Sequence, residues 1–130
     1  MKFTTKIIIS IFLLIATIIG TEVFVNRTLK TTSVRLEEHI SELENKTHSG
    51  NWHDAEIAMQ SIEEDWKDIE LLWSMLIDHF EIDNIDTALS KLSIYVKSKE
   101  TSLALAEAST LKKYVLHIPQ KESFSVENIL

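Results

Sequence analysis

The most uneven feature of the chain is its first stretch. Between Lys6 and Arg27 lie residues 7–26, and Glu22 is the only formal charge among them. At about 1.5 Å per residue, a helix of that length spans about 30 Å, the hydrocarbon thickness of a bilayer. Its strongest part, residues 7–19 behind Lys2 and Lys6, also has the form of a secretory signal. A signal peptidase prefers small residues at the last and third-last positions before its cut. A cut after Gly20 leaves Ile18 at the other position, and one after Thr21 leaves Ile19 there. The pattern therefore favours an uncleaved anchor over a cleaved signal. A core helix of a soluble protein is the remaining alternative, but little else in the chain is large enough to surround it.

Beyond the anchor, apolar residues recur at helical spacing. Val25, Leu29, Leu36, Ile40 and Leu43 form one stripe, with Thr32 at the missing step, which predicts a helix running straight out of the membrane. Residues 45–50 end it, since Gly50 can adopt the left-handed conformation and His48 suits a carboxyl end. Asn51 is placed to cap the next helix, with Asp54 in its first turn. That helix has the clearest pattern: Trp52, Ala55, Met59, Ile62, Trp66, Ile69, Trp73, Leu76 and Phe80 step by three and four. The seam is too bulky for a two-stranded coiled coil and suits the core of a three- or four-helix bundle. Residues 71–77 are apolar nearly all round, which predicts a central position or a face toward a partner.

The phase then slips. Ile82, Ile85, Leu89, Leu92 and Val96 make a stripe offset from Phe80, so a bend is expected at residues 81–84, with Asp83 as cap and Asp86 three residues on. The third helix should end near residues 96–98. A fourth is expected from about Glu100 to His117, with Ala104, Ala108, Leu111, Val115 and Ile118 inward and Pro119 as its stop. The tail that follows offers Phe124, Val126, Ile129 and Leu130 as a short docked turn. The expected architecture is all-α: an N-terminal transmembrane helix followed by a small three- to four-helix bundle. Residues 1–6 form a short cytoplasmic N-terminus, 7–26 the anchor and 27–130 the bundle, with its tail at 119–130. This division leaves no room for an attached catalytic or signalling domain.

Composition narrows the functional field. Two glycines and one proline argue against a turn-rich sandwich or barrel, and the absence of cysteine removes disulfides, thiolate metal sites and cysteine nucleophiles. The net charge is −7, and without Lys2, Lys6 and Glu22 it becomes −8. So acidic a domain is a poor binder of nucleic acid and is repelled by anionic headgroups. Lys2 and Lys6 precede the anchor while Arg27, Lys30 and Arg35 follow it, a weak charge bias. The early position of the segment favours a single-pass protein of the cell membrane, N-terminus cytoplasmic and residues 27–130 extracytoplasmic.

Five histidines among many acids invite a metal hypothesis. No His-Glu-x-x-His motif occurs, and no Glu precedes a His by three residues, so neither the zinc-protease motif nor the ferritin-like di-iron pattern is present. The densest cluster is Asp78, His79, Glu81, Asp83 and Asp86, which could hold a hard cation or an acid/base pair. Carboxylates at a helix start are more simply explained as caps and dipole partners. The same holds for His53, Asp54 and Glu56. No Gly-rich phosphate loop and no Gly-x-Ser-x-Gly elbow is present. No catalytic, cofactor or metal-ligating residues are therefore assigned.

The combined pattern resembles a bacterial family, the domain of unknown function numbered four-three-six-three. The resemblance rests on Trp52, Trp66 and Trp73, on the run Leu76-Ile77-Asp78-His79-Phe80-Glu81-Ile82-Asp83-Asn84-Ile85, on His117-Ile118 and on Asn128-Ile129-Leu130. It implies a short, anchored, helical protein and no particular activity. The favoured expectation is a non-enzymatic interaction module or accessory subunit. It would be held in the lipid bilayer through residues 7–26, with another membrane protein or a second copy of itself as partner. The alternative is a small ligand- or cation-sensing domain that acts through a membrane partner, using the bundle core or the acidic bend.

Overall fold

The structure, a computed structural model, describes residues 2–127 and the side chains of residues 2–121. Four helices follow one another: α1 (Lys2–His48), α2 (Trp52–Leu76), α3 (His79–Lys97) and α4 (Thr101–Glu127). Among the described residues there is no strand. The helices alternate in direction. α1 packs on α2 and α4, and α3 packs on the same two from the other side. The apolar segment and the first bundle helix are one unbroken element, α1. At about 1.5 Å per residue α1 is roughly 70 Å long. Its apolar part qualifies by length and composition as a membrane span, and none of its most apolar window is buried against the rest of the chain.

The predicted stripes supply the core. Leu29, Leu36, Ile40 and Leu43 of α1 are buried against Ala55, Met59, Ile62, Trp66, Ile69 and Trp73 of α2. Ile82, Ile85, Leu89, Leu92 and Val96 of α3 and Ala104, Ala108, Leu111, Val115 and Ile118 of α4 complete it. Each Leu, Ile, Val or Met side chain so buried contributes about 1.5–3 kcal/mol. Trp66 and Trp73 meet edge to face, with centroids 5.7 Å apart at 87°. That contact adds about 0.5–1.5 kcal/mol beyond the area buried. Trp52 is half-buried at the far end of the seam.

The end of the bundle far from the anchor is closed by two similar backbone motifs. At the end of α1, Gly50 donates to the Thr47 carbonyl and Asn51 to the Lys46 carbonyl, with Gly50 at φ 72°. At the end of α3, Lys99 donates to the Val96 carbonyl and Glu100 to the Tyr95 carbonyl, with Lys99 at φ 55°. Both are Schellman closures, which satisfy the last carbonyls of a helix through one left-handed residue. Lysine carries a Cβ penalty there that glycine avoids. Asn51 then caps α2: its side-chain oxygen accepts from the Asp54 amide at 3.2 Å and its Nδ2 donates to Asp54 Oδ2 at 2.7 Å.

Three expectations need correction. The α2–α3 break falls at Ile77 and Asp78, not at residues 81–84. Ile77 is extended (φ −128°, ψ 169°), and Asp78 rather than Asp83 is the cap, its carboxylate accepting from the Phe80 amide at 3.2 Å. Phe80 therefore opens α3 instead of ending the α2 seam, and it is 69% exposed. Ile77 turns inward in its place.

Pro119 does not stop α4, which runs on to Glu127. Proline lacks the amide hydrogen that would reach the carbonyl four residues back, here that of Val115. Ser33 of α1 replaces it: the buried hydroxyl donates to the Val115 carbonyl at 2.8 Å. With that carbonyl satisfied from a neighbouring helix, continuing α4 leaves no orphan acceptor. The tail expected to begin at Pro119 is thus helical through Glu127. The docking expected of Phe124, Val126, Ile129 and Leu130 lies outside the described side chains.

The third correction concerns Thr32. It is half-buried rather than part of the apolar seam. Its hydroxyl accepts from Trp73 Nε1 at 2.8 Å and donates to the Thr28 carbonyl at 2.7 Å.

Candidate functional site

The acidic bend singled out by the sequence lies at the anchor-proximal end of the bundle, and the fold spreads its members apart. Asp78 is the α3 cap. Glu81 pairs with Lys121 of α4 at 3.3 Å. Asp86, two turns into α3, accepts from Trp66 Nε1 at 2.7 Å. His79 and Asp83 are exposed. A cation needs several oxygen ligands at about 2.3–2.6 Å around one point. Among the described residues no group of three His, Asp or Glu side chains is so disposed. The chemistry available at the bend is capping, one interhelical ion pair and one buried indole partner. His53, Asp54 and Glu56 stand at the opposite end, where Asp54 serves the Asn51 cap.

A second polar group was not anticipated. Asp65 of α2 lies between Arg35 and His39, one turn apart on α1: the guanidinium is 3.1 Å from Oδ1 and the imidazole Nδ1 is 2.6 Å from Oδ2. The imidazole contact is close but lacks hydrogen-bond alignment, and both atoms are buried without a hydrogen-bond partner. The carboxylate is largely shielded, whereas the arginine is half exposed. A partly exposed pair of this kind contributes at most about 1 kcal/mol and fixes the register of α1 on α2. The four-residue spacing of Arg35 and His39 was visible in the sequence, but their partner across the helix interface was not.

The end of the bundle nearest the apolar segment carries its most exposed large apolar side chains, ahead of Ile94, Ile57 and Leu103 toward the other end. Along the exposed stripe of α2, Gln60, Glu64 and Asp68 give way to Leu71 and Met75, exposed by 72% and 68%. Phe80 lies just across the turn. The all-round apolar stretch 71–77 thus divides, with Trp73 and Ile77 inward and Leu71 and Met75 outward. On the other side of this end, an open cleft of about 380 Å³ lies between α1 and α4, with Asn26, Lys30 and Ser33 facing Leu116 and Pro119.

Fold and surface together define a class: a small four-helix bundle whose first helix extends far beyond it as an apolar, uncovered segment. Within that class, residues 23–129 match the family model described as Domain of unknown function (DUF4363), and the chain belongs to that family. The match takes in all three tryptophans and the Asp78 turn. No curated protein and no solved structure matches the chain.

Proposed function

We propose that this protein is a membrane-tethered, extracytoplasmic, non-enzymatic interaction module, with another membrane protein or a second copy of itself as its partner. The observation that carries this reading is the continuity of α1. One helix passes from an uncovered apolar segment into the bundle core, where Leu29, Leu36, Ile40 and Leu43 are buried. Such an element holds the bundle at a fixed height and orientation above the bilayer, without the play of a linker. A partner in the same membrane then meets a limited set of surfaces. The absence of an enzymatic role is supported by the use of the acidic bend in capping and pairing rather than around a common point.

The test is crosslinking in intact membranes, with a photoreactive residue at Val34 or Leu103, both exposed on the bundle. One discrete adduct, either to a membrane protein or to a second copy, is expected. Monomeric protein with no adduct above that of a scrambled-anchor control contradicts the reading. A reporter fused after Leu130 tests the orientation: activity of an exclusively extracytoplasmic reporter is expected, and activity of a cytoplasmic one refutes it.

A further inference from the structure

We infer that the α2–α3 turn is a second membrane contact, with Met75 and Phe80 resting in the headgroup–acyl boundary of the bilayer that α1 crosses. The inference rests on the anchor reading above and adds a lipid-facing surface to it.

Helix register sets the height. The Trp73 indole reaches Thr32 and Asp65 meets His39, so α2 descends beside α1 with Met75 near the level of Lys30. That is about 6 Å above Asn26, taking 1.5 Å per residue. A second route agrees. Ser33 bonds Val115 and Lys121 pairs with Glu81, which brings the start of α3 to nearly the level of Arg27. The polar zone on each side of the hydrocarbon core is about 5–7 Å deep. Phe80 therefore lies within it and Met75 at its outer edge, whereas Leu71, about 12 Å above Asn26 by the same rise, stands outside it.

The surface chemistry fits this placement. From Gln60 onward the exposed side chains of α2 change from polar to apolar toward the apolar segment, and although Ile57 is 50% exposed at the far end, Leu71 and Met75 are more so, with Phe80 continuing the patch across the turn. Side chains 68–72% exposed lose most by facing water and gain most by entering the boundary. Arg27 and Lys30 stand at the same height on α1, where lipid phosphates lie. The domain's acidic charge makes a zwitterionic surface the compatible one.

The chain contains no cysteine, so single-cysteine labelling needs no prior substitution. The full chain is placed in phosphatidylcholine vesicles carrying a lipid spin-labelled near the glycerol. Fluorophores are attached in turn to Phe12→Cys, Leu71→Cys, Met75→Cys, Phe80→Cys and Leu103→Cys. All these positions are exposed, and circular dichroism checks each variant for its helix content. Quenching at Met75→Cys and Phe80→Cys is expected to exceed that at Leu103→Cys at least twofold, with Leu71→Cys between. Equal, weak quenching at 75, 80 and 103 beside strong quenching at Phe12→Cys overturns this contact and leaves the anchor intact. An unquenched Phe12→Cys overturns the anchor and this inference together. Fluorophores at 75 and 80 that are shielded from lipid quencher, and released on diluting protein in lipid, overturn it in favour of self-association.

Discussion

The two ends of the bundle are built on different principles. The distal end is closed by local motifs: two Schellman turns, at Gly50 and Lys99, and one side-chain cap from Asn51. The anchor-proximal end depends on side chains reaching between helices. Ser33 supplies what Pro119 lacks, Thr32 receives the Trp73 indole, Asp86 receives the Trp66 indole, and Lys121 holds Glu81. The distal turns need only local sequence, with Lys112 of α4 reaching Glu44 of α1 beside them, whereas the contacts named at the proximal end all come from separate helices. Two of these contacts, those of Ser33 and Thr32, need α1 in place, and the other two join α2 to α3 and α3 to α4.

The largest effect expected from breaking this contrast is at Trp73. Its side chain is fully buried and its indole is held by Thr32. Trp73→Ala should cost about 3–5 kcal/mol, read by chemical denaturation in detergent micelles. A loss under 1 kcal/mol would show that the proximal core is not packed as described.

Ser33→Ala comes next. It leaves the Val115 carbonyl buried without a donor, at about 1–3 kcal/mol. In a Pro119→Ala background the restored amide can bond that carbonyl, so the same substitution should cost much less. A double-mutant cycle measures the difference. Equal costs in both backgrounds would separate Ser33 from Pro119.

The distal end should respond in the opposite sense. Lys99 sits at φ 55°, so Lys99→Gly removes a Cβ penalty and should stabilise by about 0.5–1 kcal/mol. A destabilised variant would mean that the lysine side chain contributes something the closure does not require. The smallest effect is expected at His79. It is exposed, and His79→Ala should leave the melting temperature within about 1 °C, with or without millimolar divalent cations, as for an unremarkable surface site. A cation-induced rise in the wild type that the variant loses would restore the bend as a binding site.

Much of this fold was legible in the sequence, for a physical reason. Burial repeats with the helical period, so the inward residues of α3 and α4 can be read off one by one. Caps are local, so Gly50 and Asn51 announce themselves. The errors fall where the deciding partner is remote in sequence. Pro119 looks like a stop until Ser33, on another helix, is brought to the Val115 carbonyl. Phe80 continues the α2 seam by count. The break is set instead by Asp78, whose carboxylate competes for the Phe80 amide. Lys99 carries no composition signal for a left-handed turn. The acidic bend was legible as a cluster of residues but not as a set of separate tasks, since Lys121 and Trp66 come from other helices. The apolar patch was foreshadowed by residues 71–77. Only the bundle shows which of them face out.

The central claim is that α1 is one rigid helix from the apolar segment into the core. A nitroxide scan across positions 18–34, one label at a time in phosphatidylcholine vesicles, tests it most directly. Oxygen and a water-soluble nickel chelate report exposure to lipid and to water. The expected result is a 3.6-residue periodicity that continues without interruption through Asn26, with exposure to lipid giving way to exposure to water near Arg27. Loss of periodicity with mobile spectra between positions 22 and 30 would mean a flexible linker and would contradict the claim.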